Sequence, residues 1–323
     1  MHFVIYGAGA IGGVVGARLF EAGYRTTLVA RGAHLDAIRE HGLTLDAAAD
    51  RRTVRVPAAA NAAEVDWTDD PVVLLCVKSQ QTAVALDDLR AHAPASTPVV
   101  SAQNGVANED AILRVFANVY ALCVVLPALH LEPGVVVEAS SEVPGILDIG
   151  RFPRGTDDRA EQIATAFRTA GFWAEVRNDI MAWKYRKLMS NLGNGIDATF
   201  RQSEAQRELI RRARAEGEAV LTAAGIEMVS VDEDRDRRGS AIVRRQMGES
   251  SYGSSTWQSV ARGAGSVEVD YLSGEIVLLG RLHGIATPVN QLVQRATYRV
   301  VREGLPASGQ GAEAALAELD QKS

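Results

Sequence analysis

Lysine is the scarcest charged residue of this chain. Of the 34 basic residues among 323, four are lysines (Lys78, Lys184, Lys187 and Lys322), which leaves thirty arginines. Acidic residues number 40, so the formal net charge is −6 at pH 7. This balance gives no overall electrostatic attraction to nucleic acid or to an anionic membrane surface. We therefore expect a small molecule as the partner, and neither nucleic acid nor a membrane.

Long apolar runs, cysteines and paired histidines are also rare or missing. No apolar run approaches the roughly 18 residues of a membrane span. Cys76 and Cys123 each lie within a short apolar run, where we expect buried free thiols, as in proteins of the reducing cytoplasm. None of the six histidines has a second ligand-type residue at metal-site spacing. The sequence thus predicts a cytoplasmic protein without a metal site.

The first half of the chain alternates between two local patterns. Short runs rich in β-branched residues alternate with segments of helical period, and the runs cover residues 3–6, 26–29, 72–77 and 98–100. Further strand-like stretches lie at 135–138, 145–149 and 173–176, with a predicted helix at 157–169. The alternation is typical of a parallel sheet built from βαβ units. It predicts an α/β N-terminal domain of Rossmann type over residues 1–177.

The second half favours helices. They are predicted at 181–191, 204–224, 233–247 and 269–283, followed by one of about fifteen residues that begins at Pro288. We predict an all-α C-terminal domain over residues 178–306. The tail, residues 307–323, has too little apolar content to pack and is predicted to be disordered. The charged run at 232–238 is interpreted as a solvated helix face.

A glycine-rich turn follows the first strand-like run. Its residues, in the pattern GxGxxG, are Gly7, Ala8, Gly9, Ala10, Ile11 and Gly12. In a dinucleotide-binding turn the first glycine permits a tight turn, the second lets the backbone approach the pyrophosphate, and the third lets the helix pack against the strand. The free N–H groups of the helix then face the phosphates. The strand and helix on either side favour dinucleotide binding over a purely structural turn.

The end of the second predicted strand distinguishes between two cofactors. An NAD-specific protein usually carries an acid there, which holds the ribose 2′-hydroxyl. Here the sequence reads Val29-Ala30-Arg31-Gly32, with a guanidinium instead of an acid. A guanidinium suits a 2′-phosphate, so the sequence predicts NADPH rather than NADH. The alternative is that Arg31 is one more surface arginine.

Polar side chains follow two later strands, at the edge where open α/β sheets bind ligands. Lys78 follows the run 72–77, and Asn104 follows 98–101. Since Gly105 comes next, a plain turn would explain Asn104 equally well. In the helical half, Lys187 and Asn191 are four residues apart and share a helix face. Lys184 lies close by. Spacing alone does not show which of the two lysines is functional, and it does not distinguish a binding site from a solvated basic face.

Together these blocks resemble the ketopantoate reductase (2-dehydropantoate 2-reductase) family, from residue 1 to about 300. The first blocks are GAGAIG at 7–12, Arg31, VKSQQ at 77–81, QNG at 103–105 and WKYRKLMSN at 183–191. The later ones are SSTWQ at 254–258, EVDYLSG at 268–274 and GIATPVN at 284–290. Their order and spacing carry the resemblance, since each block alone is unspecific.

The resemblance implies that NADPH reduces a 2-oxo acid in a cleft between a Rossmann domain and a helical domain. Lys187 matches the family's catalytic lysine and Glu268 its active-site glutamate. Asn191 and Ser255 match substrate-binding positions. An ammonium group stabilises the negative charge that grows on the carbonyl oxygen and delivers a proton, which a guanidinium does not readily give up.

The resemblance also assigns roles on the cofactor side. Asn104 matches a residue that touches both cofactor and substrate, and Lys78 matches one near the nicotinamide half of the cofactor. Lys184 matches no functional position, which selects Lys187 as the catalytic lysine.

The sequence departs from the family on the substrate side. A second asparagine usually lies four residues after the first, but Gly195 stands there and Asn194 falls one residue early.

Three functions stay open: reduction of ketopantoate for pantothenate biosynthesis, reduction of another branched or aromatic 2-oxo acid, and a non-catalytic NADP-binding sensor or regulator. The sequence also leaves a homodimer open.

Overall fold

A computed structural model describes residues 1–245 and 253–321 of the chain. Their contacts divide them into two compact units, one of Met1–Lys184 with residues 230–245 and one of Tyr185–Val229 with residues 253–321. The first unit is α/β and the second is helical, as the sequence predicts. The sequence places the boundary after residue 177, whereas the contacts place it after Lys184 and assign residues 230–245 to the first unit.

The strands of the first unit form two sheets. In chain order the strands are β1 (His2–Tyr6), β2 (Arg25–Val29), β3 (Leu43–Asp46), β4 (Arg51–Val54), β5 (Ala58–Ala59), β6 (Pro71–Leu75), β7 (Val99–Ser101), β8 (Val119–Val125), β9 (Ala128–Leu129), β10 (Val135–Glu138) and β11 (Ile146–Arg151). The larger sheet has the order β11-β8-β7-β6-β1-β2-β5, and the smaller one β4-β3-β10-β9.

The larger sheet is parallel except at one edge, where β11 runs antiparallel to β8. Within the sheet, Ile5 of β1 pairs with Leu28 of β2 on one side and with Leu74 of β6 on the other. Apolar side chains cover both faces of this sheet in two separate clusters. Burial on both faces explains why these strands read as continuous apolar runs in the sequence. The run at 173–176 contributes single bridges to β11 rather than a strand.

Helices follow the strands and then fill the second half. They are α1 (Ala10–Glu21), α2 (Gly32–His41), α3 (Thr82–His92), α4 (Asn108–Leu113), α5 (Asp158–Thr169), α6 (Ile180–Asn191), α7 (Gly193–Thr199), α8 (Glu204–Ala223), α9 (Val231–Arg238), α10 (Ser255–Ala261), α11 (Ser273–His283), α12 (Pro288–Arg302) and α13 (Glu313–Asp320). The helix predicted to begin at Pro288 is present with fifteen residues. A 3-10 turn at Glu268–Tyr271 precedes α11 in place of the predicted single helix.

The segment at 230–245 differs from its prediction. Helix α9 ends at Arg238, and the chain then turns so that Arg244 forms an antiparallel bridge to Ser140. Residues 246 and 247 of the predicted helix lie outside the described residues. The interpretation of 232–238 as a solvated face is wrong for Arg237, whose side chain is 12% exposed. Its charge is satisfied within the first unit by Asp148, which the local pattern does not reveal.

The C-terminal tail carries a helix that the composition did not indicate. In α13 and the residue before it, Ala312, Ala315, Leu316 and Leu319 recur at helical spacing. They belong to an apolar cluster with residues of α7, α8 and α12. The prediction of disorder is therefore wrong for this helix, because four well-spaced apolar residues bury a stripe even when the average composition is polar. The last two residues of the tail, including Lys322, lie outside the described part.

Candidate active site

Four of the predicted cofactor-side segments meet at one edge of the larger sheet. The glycine turn follows β1, Arg31 comes shortly after β2, and Lys78 and Asn104 come shortly after β6 and β7. These strands are neighbours and run parallel, in the order β7-β6-β1-β2. Their carboxyl ends therefore lie side by side, which is where open α/β sheets bind ligands.

The glycine turn has the backbone that its sequence predicts. Gly7 has a φ of +107°, which side-chain-bearing residues rarely adopt, and a Cβ there would lie 2.9 Å from the backbone nitrogen of Val77. A Cβ on Gly12 would lie 2.2 Å from the carbonyl oxygen of Gly7 and 2.9 Å from Ile5. Both glycines are required by the close approach of α1 to β1 and β6.

The middle glycine borders open space. No atom lies within 4 Å of a Cβ built on Gly9, and no side chain caps the start of α1. The first N–H groups of a helix have no intrahelical acceptor and carry a partial positive charge, which suits an anion. These residues fit the pyrophosphate of a dinucleotide, since a side chain at Gly9 would fill the space that the phosphates need.

His34 supports the glycine turn from α2. The amide of Gly134 donates to its Nδ1 at 2.9 Å, so the ring proton lies on Nε2 and is donated to the carbonyl oxygen of Ala8 at 2.8 Å. The ring of His130 lies 4.1 Å from that of His34, centroid to centroid. Burial, and secondarily the proximity of His130, lower the pKa of His34. Sequence reasoning missed this residue because only the fold brings it beside the turn.

Arg31 is exposed and stands immediately before α2. Close by, the hydroxyl of Tyr6 donates to Asp88 Oδ2 at 2.6 Å, and the same oxygen accepts from the amide of Ala62 at 2.8 Å. Burial and this hydrogen bond raise the pKa of Tyr6, and the positive charge of Arg31 opposes the shift. The Asp88 carboxylate is therefore engaged with protein donors, and Arg31 presents a cation at the end of β2.

Buried polar side chains connect the loops that carry Lys78 and Asn104. Gln103 Nε2 donates to the carbonyl oxygen of Val77 at 2.9 Å and to Thr82 Oγ1 at 2.8 Å. Asn108 accepts from Thr82 at 2.9 Å and donates to Ser79 Oγ at 3.1 Å and to the carbonyl oxygen of Asn104 at 3.2 Å. We call Ser79, Thr82, Gln103 and Asn108 the loop network; all four are buried.

Lys184 extends this network and does not lie on a solvated face. It forms an ion pair with Glu109 of α4, and the two side chains are 2% and 0% exposed. Its ammonium group also donates to the carbonyl oxygen of Gln103 at 3.1 Å. Spacing along the helix does not separate Lys184 from Lys187. The scarcity of lysine is the one sequence signal that could have marked Lys184, to which the family resemblance gives no role.

The second unit carries the predicted substrate-side residues on α6 and its neighbours. Lys187 is half-buried on α6, and Glu268 in the 3-10 turn is buried, at 5% exposure. The side-chain nitrogen of Asn191 is buried and donates to no atom of the residues that the structure describes. A buried donor without an acceptor costs free energy, so Asn191 is well suited to receive a ligand oxygen.

The asparagine shift noted in the sequence has a structural basis. Asn194 Nδ2 lies 3.5 Å from Ser255 Oγ, so α7 brings this amide to a predicted substrate-binding residue. A Cβ on Gly195 would lie 2.9 Å from Val293 and 3.0 Å from Thr297 of α12. Position 195 therefore faces the helical core and has no room for a side chain, whereas position 194 faces Ser255.

The start of α10 is held against α7 by further hydrogen bonds. The amide of Ser254 donates to Asp197 Oδ2 at 2.7 Å, and its hydroxyl donates to the carbonyl oxygen of Asn194 at 3.2 Å. Ser254 also accepts from the amide of Trp257 at 3.2 Å, as the N-cap of α10. These contacts fix the position of Ser255 relative to Asn194.

Two further properties of the described residues bear on the class of site. In the part of the chain that the structure describes, no group of three or more histidine, cysteine or acidic side chains could hold a metal ion. Over the same residues, no helix is both long enough and apolar enough to cross a lipid bilayer. Both cysteines are free thiols; Cys123 is buried and Cys76 is partly accessible.

Family models match both halves of the chain. The model described as ketopantoate reductase PanE/ApbA matches residues 3–154, and the corresponding C-terminal model matches residues 179–300. The chain belongs to the ketopantoate reductase family. This confirms the resemblance that the sequence blocks suggested.

Relatives and solved structures of the ketopantoate reductase family align over nearly the whole chain. A 2-dehydropantoate 2-reductase of Halobacterium salinarum is 30% identical over 94% of this chain and 100% of its own length. One of Pyrococcus horikoshii is 28% identical, over 91% of this chain and 95% of its own. The crystal structure of a PanE/ApbA family ketopantoate reductase from Ralstonia eutropha superposes with a TM-score of 0.80 at 28% identity, over 94% and 99% of the two chains.

Proposed function

We propose that this protein catalyses the NADPH-dependent reduction of a 2-oxo acid to a 2-hydroxy acid, with 2-dehydropantoate (ketopantoate) as the substrate in pantothenate biosynthesis. The observation that carries the proposal is the glycine turn with open space at Gly9, beside an uncapped helix start, in a chain of the ketopantoate reductase family. A non-catalytic sensor would need the same turn, but it would not need the polar residues of the second unit.

The cofactor half of the proposal rests on the first unit. The first turn of α1 would hold the pyrophosphate through its N–H groups. Arg31 would pair with the 2′-phosphate, and Lys78 and Asn104 would contact the nicotinamide half. NADPH supplies a hydride when it is bound. An exposed cation at the end of β2, with no acid in the sequence from Leu28 to Ala33, supports NADPH over NADH.

The substrate half rests on the second unit. Lys187 would stabilise the negative charge on the carbonyl oxygen and give it a proton, and Glu268 would orient Lys187 or a substrate hydroxyl. Asn191 and Ser255 would donate hydrogen bonds to the carboxylate and hydroxyl of the substrate. We add Asn194 to this set, because its amide lies beside Ser255 and position 195 cannot carry one.

A second candidate is a reductase of another branched or aromatic 2-oxo acid. The specific observation in its favour is the same shift of the second asparagine from position 195 to 194. An amide displaced by one residue along α7 emerges in a different direction, which changes the shape of the substrate site.

The direct experiment is a spectrophotometric panel of 2-oxo acids with NADPH and NADH in parallel. Ketopantoate as the best substrate, together with complementation of a pantoate-requiring strain, would support the first candidate. Clearly higher kcat/KM with another 2-oxo acid would support the second. Absence of turnover with every acid would reject both reductase candidates and leave a non-catalytic NADP-binding sensor as the function.

Cellular location and assembly belong to the same proposal. We propose that the protein acts in the cytoplasm, which the two free thiols support. A homodimer remains a prediction from sequence, and sedimentation of the purified protein with and without NADPH tests it.

A further inference from the structure

The buried ion pair between Lys184 and Glu109 contacts the loop that carries Asn104. Glu109 belongs to the first turn of α4, and Lys184 belongs to α6, 75 residues later in the chain. Both are in the first unit. Neither side chain reaches solvent, so neither can contribute to solubility or to attraction of a charged ligand at the surface.

Stability alone does not account for a pair in this place. Taking two charges out of water costs free energy that their mutual attraction barely returns, and apolar side chains of similar volume usually stabilise a core at least as well. One carboxylate oxygen of Glu109 is moreover buried without a partner among the described residues. Such a pair is best explained by something that the ammonium group does and that an apolar group could not do.

The ammonium group has a second acceptor, the carbonyl oxygen of Gln103 at 3.1 Å. That carbonyl belongs to the peptide group that leads directly into Asn104. The next carbonyl, that of Asn104 itself, accepts from Asn108 at 3.2 Å. Two successive carbonyl groups thus each accept a hydrogen bond from a buried side chain. These two bonds fix the orientation of the backbone from which the Asn104 side chain projects.

We propose that Lys184 and Glu109 are positioning residues, which hold the loop of Asn104 in the orientation needed for reduction. The inference rests on the proposed function, in which Asn104 contacts both cofactor and substrate. Glu109 holds Lys184 in place through the ion pair, and Lys184 orients the peptide between Gln103 and Asn104. The loop network transmits the same constraint to the segment of Lys78, through Val77 and Ser79.

The test compares a single variant with a double variant. Lys184→Met leaves the carboxylate of Glu109 buried and unpaired, so we expect a large loss of thermal stability. Lys184→Met/Glu109→Gln removes both charges, and we expect most of the stability to return. If the pair positions the loop, kcat for the 2-oxo acid stays lowered by about tenfold or more in the double variant, because small displacements at a reacting centre are costly.

The cofactor affinity provides a readout that a general loss of folding would not mimic. The loop network borders only the nicotinamide half of the proposed cofactor site, whereas the glycine turn and Arg31 lie outside it, so the Kd of NADPH, measured by fluorescence, should rise by less than about threefold in the double variant while kcat falls further. Hydrogen exchange should be faster in residues 103–108 than in the wild type. Asp110→Asn, at an exposed position of the same helix, is the matched control and should alter none of these quantities.

A double variant that regains stability and has wild-type kcat and wild-type exchange in residues 103–108 would overturn the proposal. If the wild type reduces no 2-oxo acid at all, the proposed function fails, and exchange alone then decides on the positioning role. Faster exchange in residues 103–108 would support that role, and unchanged exchange would overturn it.

Discussion

The guanidinium group of Arg237 donates two hydrogen bonds to the carboxylate of Asp148, from Nε at 2.9 Å and from Nη2 at 2.7 Å. The two residues are 89 positions apart in the chain, and Asp148 is in the antiparallel edge strand β11. Arg237 also lies over the ring of Trp173, 5.7 Å from its centroid. This pair holds α9 on the first unit, although the sequence around α9 resembles that of an exposed helix.

Removal of Arg237 should therefore destabilise the first unit. Arg237→Ala leaves the buried carboxylate of Asp148 with Arg177 as its remaining cation, at 3.4 Å, and we expect a loss of about 3 kcal/mol in the free energy of unfolding. Arg235→Ala, on the exposed side of the same helix, should cost less than about 0.5 kcal/mol. Urea denaturation of both variants measures the difference, and equal losses would contradict the buried role of Arg237.

Lys187 should be essential for turnover but not for cofactor binding. Lys187→Ala and Lys187→Arg should each lower kcat by about 100- to 10,000-fold, because neither side chain delivers a proton to the alkoxide. The Kd of NADPH should stay near its wild-type value. Ser190→Ala, at an exposed position of the same helix, is the control. Near-normal kcat in either lysine variant would remove Lys187 from this role.

Arg31 should select the cofactor. Loss of a hydrogen-bonded charge on the 2′-phosphate costs about 1.5–3 kcal/mol, so Arg31→Ala should raise the KM for NADPH by roughly 10- to 100-fold. The KM for NADH should hardly change, since NADH has no 2′-phosphate. Arg39→Ala, in the helix that Arg31 precedes, serves as the control. An equal increase for both cofactors would show that Arg31 does not recognise the phosphate.

The position of the second asparagine can be tested by two substitutions with different outcomes. Asn194→Ala should raise the KM for the 2-oxo acid by about tenfold with little loss of stability, because it removes one hydrogen bond to the substrate. Gly195→Ala should destabilise the second unit by about 1–3 kcal/mol, because its Cβ would meet Val293 and Thr297. If Asn194→Ala leaves the KM unchanged, Asn194 does not bind the substrate.

His34 should contribute to a loss of stability on acidification, as should His2, whose pKa burial also lowers. The pKa of His34 is lowered in the folded protein, by burial first and by His130 second, so the unfolded state binds the proton more tightly. The stabilising contribution is complete above a pH of about 6.5 and is lost as the pH falls towards the folded pKa, by about 1.4 kcal/mol per unit of pKa difference. Protonation of Nδ1 also breaks the hydrogen bond from Gly134.

Unfolding curves of the wild type and of His34→Asn between pH 5 and pH 7 test this expectation, since the variant should show a smaller dependence on pH over that window. The affinity for NADPH should follow the same trend in the wild type, because His34 holds the carbonyl of Ala8 in the glycine turn. The same slope in both proteins would exclude His34 as one of the titrating groups.

The sequence by itself determined the features that depend on neighbours along the chain. The glycine turn could be predicted because the φ of Gly7 and the close packing of Gly12 require glycine locally. The central strands could be predicted because burial on both faces produces continuous apolar runs. Arg31, Lys78 and Asn104 could be placed at one edge because parallel strands end on the same side.

Only the tertiary structure decided which charged and polar residues are buried, and with what partners. Lys184 and Arg237 resemble solvated residues in sequence, yet each has a buried carboxylate partner more than 70 residues away. Position 195 cannot carry the second asparagine because α12, about 100 residues later in the chain, leaves no room for a side chain there. The physical reason is that burial and charge pairing are set by whichever element packs against a residue, and that element is distant in the chain.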